Sequence, residues 1–84
     1  MNKRKLLAKV LANSKNISFH EIVSLVEAFG FRLSRINGSH HIFTHPQVRE
    51  IVNLQDVHGK AKPYQIRQFL QIVEEYELTL GETE

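Results

Sequence analysis

Asn37-Gly38-Ser39-His40-His41-Ile42-Phe43-Thr44-His45-Pro46 is the stretch that decides how this chain folds. Asn-Gly is a strong signal for a tight hairpin, because both residues tolerate the positive φ that a primed turn demands. Phe31 to Ile36, on its N-terminal side, has the apolar and aromatic content of one strand, and His40 to His45 supplies the next. Pro46 stops that second strand, since proline cannot donate to a ladder. A turn through Pro46 to Val48 then leads to a third strand over Glu50 to Gln55.

Helical patterns flank these strands. Leu6, Leu7, Val10 and Leu11 make one apolar stripe over residues 3 to about 13. Ser18-Phe19-His20-Glu21 matches a capping box, and Ile22, Leu25, Val26 and Phe29 follow at helical spacing. Gly30 stands where a left-handed residue would end that helix. Pro63 opens a last helix with a core face of Ile66, Phe69, Leu70, Val73 and Tyr76. The order predicts an α+β domain over residues 1–84, with helices on one face of a three-stranded antiparallel sheet and the other face open.

Eighty-four residues allow a single small core rather than a large two-substrate pocket. The chain has no cysteine, which excludes disulfides and thiolate metal sites and fits a reducing compartment. Lys9 interrupts the first apolar run, and no run is long enough to span a bilayer, so the expected location is the cytoplasm without membrane attachment. Charge is segregated. Residues 1–67 hold eleven basic and four acidic residues, a net +7, whereas the remainder holds five glutamates and no base. A basic body suits a polyanionic partner.

Strand alternation sorts the histidine cluster. His40, Ile42 and Thr44 share one face, and His41, Phe43 and His45 share the other. Phe43 is the natural core residue, so His41 and His45 flank the core while His40 faces outward. His41 and His45 lie roughly 13 Å apart at about 3.3 Å per residue, too far to share a metal ion. Thus no metal site is expected. His40, after a tight Gly38-Ser39 turn, is the candidate general acid or base, with a solvent-facing strand histidine as the plainer alternative. Ser39 has no acidic residue nearby in sequence to support a nucleophilic role and reads first as a turn residue, second as a phosphate contact. His58-Gly59-Lys60-Ala61-Lys62-Pro63 joins a flexible glycine and two lysines to a helix start, where backbone N–H groups attract phosphate. Arg32, Arg35 and Arg67 are candidates to extend that basic surface, and His20 reads as structural.

Gly38-Ser39-His40-His41-Ile42-Phe43, preceded by Gly30-Phe31 and followed by His58 and Lys62-Pro63, resembles the HicA family of toxins from bacterial toxin–antitoxin pairs. The resemblance covers about residues 18 to 78. It implies a double-stranded-RNA-binding-like α-β-β-β-α fold with an additional N-terminal helix. It also implies a ribosome-independent mRNA endonuclease that needs no cofactor and is restrained by a HicB-like antitoxin. The family's essential histidine falls on His40. Gly38, Ser39, Arg35, Lys60 and Lys62 are then the expected RNA and phosphate contacts, with His58 or His41 as a second proton-transfer group. This chain departs from the family where a proline usually precedes the second histidine (Asp56-Val57-His58 here) and where a glycine often follows Lys-Pro (Tyr64 here). The helix over residues 3–13 lies outside the family core, where covering sheet or serving an interface are both open to it. Two rival functions remain: a non-catalytic double-stranded-RNA-binding module, and a protein-interaction domain using the open sheet face.

Overall fold

Ser18 begins the second helix as its sequence predicts. In the computed structural model, which describes residues 2–81, its hydroxyl accepts from Glu21 N–H at 3.0 Å while the Glu21 carboxylate accepts from Ser18 N–H at 3.0 Å. The same carboxylate meets Lys9 Nζ at 2.7 Å. The Lys9 ammonium and the Ser18 N–H together hold the Glu21 carboxyl below its ordinary pKa. This pair ties helix α1 (Lys3–Ala12) to helix α2 (Phe19–Ala28). Leu6 and Val10 of α1 are buried in the common core, so the additional helix belongs to the helical layer rather than lying over exposed sheet.

Gly30 leaves α2 at φ +99°, the left-handed conformation expected of it. A Cβ there would stand 3.0 Å from His45 Nε2, so any side chain would also press on that ring. Strands β1 (Arg32–Asn37) and β2 (His40–His45) then form the hairpin. The turn is displaced by one residue from the Asn-Gly signal: Asn37 pairs with His40, and Gly38-Ser39 are the central residues. Gly38 has φ +63° and Ser39 has no positive φ, the pattern of a type II′ turn.

The third strand is longer than expected, running from Val48 to Val57 as β3, because Val48 already pairs with His45 and the connection needs little more than Pro46-Gln47. A fourth strand was not anticipated. Lys60–Ala61, β4, pairs with Asp56 and Val57 across a turn in which His58 (φ 52°) and Gly59 (φ 81°) both adopt positive φ. Asp56 Oδ1 closes that turn by accepting from Gly59 N–H at 2.8 Å. On its other side β4 meets the segment before α2, where Ala61 N–H donates to Ile17 C=O at 3.1 Å. The sheet is antiparallel in the order β1-β2-β3-β4. β1 is an edge strand with every residue exposed, and its pairing slips at Ser34, which bulges between Leu33 and Arg35.

Helix α3 (Pro63–Glu75) closes the core with Ile66 and Phe69, both fully buried. Phe69 packs edge-on against Phe29 and Phe31 at ring distances of 5.7 and 5.8 Å. Tyr76 caps the helix instead of continuing it, and its hydroxyl donates to Glu50 Oε1 at 2.6 Å. That hydrogen bond lowers the Glu50 pKa and raises that of Tyr76. No helix among the described residues is long and apolar enough to cross a membrane.

Gln65 is the one polar residue buried with this core among the described residues, at 2 % exposure. Its Oε1 accepts from Gln55 N–H at 2.7 Å, joining the first turn of α3 to β3. Replacing it by leucine keeps the volume but orphans that backbone donor. Gln65→Leu is therefore expected to lose about 1–3 kcal/mol of stability in urea titration, with the core otherwise retained.

Candidate functional site

The site follows from the face on which each β2 side chain falls. Phe43 is 1 % exposed and lies with Val52 and Leu54 beneath the helices. His41 shares that face. Its ring stands edge-on to Phe19 of α2 at 4.7 Å, and its Nδ1 lies 3.3 Å from Ser39 C=O. His45 packs against Phe31 at 5.0 Å, and its Nδ1 accepts from Gln47 N–H at 3.0 Å. Both flank the core phenylalanine as alternation predicts.

His40 takes the opposite face, which no helix covers. Its Nδ1 lies 3.1 Å from Asn53 Oδ1 on β3. Ile42, next on the same face, is only 8 % exposed yet stands outside the main core cluster. Its pairing partners Arg35 and Asn53 flank it on either side. The open face therefore reads Arg35, Ile42 and Asn53 in one row across the sheet, and Asn37, His40 and Gln55 in the next.

The second row extends toward the lysines. Because Asp56 pairs with Ala61, continuing that register sets Lys62 beside Gln55, the residue opposite His40. At about 4.8 Å between strands, the Lys62 backbone lies roughly 10 Å from that of His40, a gap that a lysine side chain and one phosphate together span. Lys62 caps α3 without a side-chain hydrogen bond; Pro63 has no N–H, and the Gln65 and Ile66 N–H groups donate to Lys62 C=O at 3.0 and 3.2 Å, so the helix start offers an anion the Tyr64 N–H and its dipole. Lys62 Nζ stands 6.0 Å from the centroid of the half-exposed Tyr64 ring. Lys60 is exposed on β4 and, like Lys62, is in no ion pair among the described residues.

Other candidates separate from this cluster. His58 occupies the β3–β4 turn, three residues beyond Gln55, or about 10 Å along the strand at 3.3 Å per residue. No hydrogen bond or ring contact joins it to His40. Ser39 offers a hydroxyl that has no hydrogen-bond partner among the described residues, while its carbonyl accepts from Asp56 N–H at 3.0 Å. Arg32 donates from Nη1 to Phe31 C=O at 2.9 Å. Arg67 does not extend the basic face: it lines a groove with Leu7, Leu11 and Leu70 between α1 and α3. Among the described residues, no three of histidine, aspartate and glutamate gather as a metal-holding group.

Asn53 and Gln55 are the residues that reading the sequence for chemistry missed. Their alternation with Val52 and Leu54 carried the signal, since it sets them on the face opposite the core.

A family model described as "HicA toxin of bacterial toxin-antitoxin" matches residues 19–74, the span from the first turn of α2 to the last turn of α3. No curated protein and no solved structure matches the chain significantly. The family match covers two helices, the whole sheet and every residue of the His40 cluster; this chain belongs to the HicA family of toxins from bacterial toxin–antitoxin systems.

Proposed function

We propose that this toxin is a ribosome-independent endoribonuclease that cleaves mRNA in the cytoplasm, with His40 as its one catalytic histidine. The observation that carries the proposal is the placement of a single imidazole on the uncovered face of the sheet, opposite Gln55, with the Asp56–Ala61 pairing leading directly on to Lys62. Histidine is the side chain best matched to proton transfer near neutral pH. His40 takes the proton of a ribose 2′-OH; the 2′-oxygen attacks the adjacent phosphorus and the bond to the 5′-oxygen breaks. The products are a 2′,3′-cyclic phosphate and a 5′-hydroxyl, with the leaving oxygen protonated by water or by His58. His41, packed on Phe19 behind the sheet, is poorly placed for that second transfer.

Lys60, Lys62 and the α3 start hold the RNA backbone and offset charge developing on the phosphate. Arg35 and the Gly38-Ser39 turn extend the contact along the strand, where Ser39 offers its hydroxyl. No step uses a metal ion. A HicB-like antitoxin restrains the enzyme by covering the open face around His40.

His40→Ala is expected to reduce RNA cleavage by about 10²–10⁴-fold. The unaltered protein should keep its activity in EDTA. Equal cleavage by the variant, or loss of activity to the chelator, would sink the proposal. Intact RNA bound tightly and salt-sensitively by both proteins would instead point to a non-catalytic RNA-binding module.

Lys60→Ala and Lys62→Ala, tested on non-cleavable single-stranded RNA, should each flatten the dependence of log affinity on log salt by roughly 0.7. An unchanged slope removes that lysine from the phosphate contacts. In a complex with the antitoxin, His40 should lose its reactivity toward an imidazole-modifying reagent such as diethyl pyrocarbonate. Undiminished modification of His40 in that complex would place the antitoxin elsewhere.

A further inference from the structure

His40 Nδ1 and Asn53 Oδ1 lie 3.1 Å apart across the β2–β3 pairing. A carboxamide oxygen carries no hydrogen, so this bond exists only while Nδ1 is protonated. In the neutral ring the lone pair then sits on Nε2, the nitrogen remote from Asn53. Histidine free in water favours the opposite tautomer, so the neighbouring amide decides which nitrogen accepts a proton.

The strand sets where Asn53 projects. Val52 and Leu54 on either side of it are 3 % and 0 % exposed, which fixes the face on which Asn53 projects. Ile42, directly opposite, is buried between Asn53 and Arg35. The remaining groups around His40 do not compete for Nδ1. β1 contributes Asn37 opposite and Arg35 diagonally, β3 contributes Gln55 opposite, and the start of α3 contributes Lys62. Lys60 lies further along β4, and the Asp56 carboxylate, next to Gln55 on β3, accepts from Gly59 N–H. The helices pack behind the sheet.

We infer that Asn53 is the positioning residue of His40: it holds the imidazole in its Nδ1–H tautomer and so presents Nε2 to the RNA as the proton acceptor. When Nε2 takes the 2′-OH proton, the Nδ1–H bond to Asn53 persists, and the ring keeps its orientation through the step. The catalytic consequence rests on the ribonuclease reading, whereas the tautomer is a property of the RNA-free protein.

The test is a long-range ¹H–¹⁵N spectrum of the histidine rings in the full-length ¹⁵N-labelled protein, recorded where the rings are neutral. The His40 signals are identified by their loss in His40→Ala. The Nδ1–H tautomer is expected in the unaltered protein. Asn53→Leu should shift the ring toward the Nε2–H form and lower kcat about tenfold at similar KM. Asn53→Asp, which still accepts from Nδ1–H, should restore the tautomer and most of the rate. Its added carboxylate favours the imidazolium, so the acid limb of the pH–rate profile should move up by about one pH unit.

An Nε2–H ring in the unaltered protein overturns the inference without any variant having to fold. An Nδ1–H ring that persists in Asn53→Leu also overturns it. If His40→Ala cleaves RNA normally, the catalytic role of His40 falls while the spectra still decide the tautomer.

Discussion

Burial of Phe43 is the constraint on which the rest of this structure depends. Successive strand residues point to opposite faces, so committing Phe43 to the space beneath α2 and α3 commits all of β2 at once. A slip of one residue would bury His40 and turn Phe43 toward solvent, which desolvation of the imidazole and loss of aromatic packing both oppose. Val52 opposite Phe43 on β3 is under the same restriction, as is Leu54 opposite His41. The open face is thereby composed as a by-product of filling the core, and its polar residues are brought together without contacts needed to gather them.

Local signals were the legible ones. The capping box at Ser18 and Glu21, the helical stripes and the left-handed Gly30 depend on neighbours within a few residues, and each forms as the sequence predicts, except that Leu11 of the first stripe is 62 % exposed. The hairpin was legible but ambiguous in place, since Asn37-Gly38 and Gly38-Ser39 both suit primed turns and only pairing with β2 selects the second. β4 could not be seen, because two residues are too few to show periodicity. It is defined instead by partners on both sides, β3 and the backbone at Ile17 and Ser18. Gln65 was hidden for a similar reason. Beside Ile66 at a helix start it looks like a surface residue, until the free N–H of Gln55 gives it an internal partner.

The site divides along the same line. Separating His40 from His41 and His45 needed only strand alternation. Associating His40 with Asn53 needed the register between β2 and β3, which shifts between Phe43 and His45 and cannot be counted from the sequence. The family resemblance carried His40 but not Asn53. The lysines are legible in the sequence as a helix-start anion site, and the pairing adds that Lys60 lies opposite Val57 and that Lys62 follows the residue opposite Asp56.

The bare edge of β1 has a consequence for handling and for natural variation alike. A strand with one unpaired edge that carries Leu33 and Ile36, 45 % and 55 % exposed, is a template for edge-to-edge aggregation. Arg32, Arg35 and the Ser34 bulge are the features that blunt such an edge, through charge repulsion and local twist. Arg35 thus has a task that needs no ligand, keeping the open edge charged against a second copy of itself. A neutral residue there makes the chain stickier toward itself, so a drop in soluble yield is the mark of losing that charge.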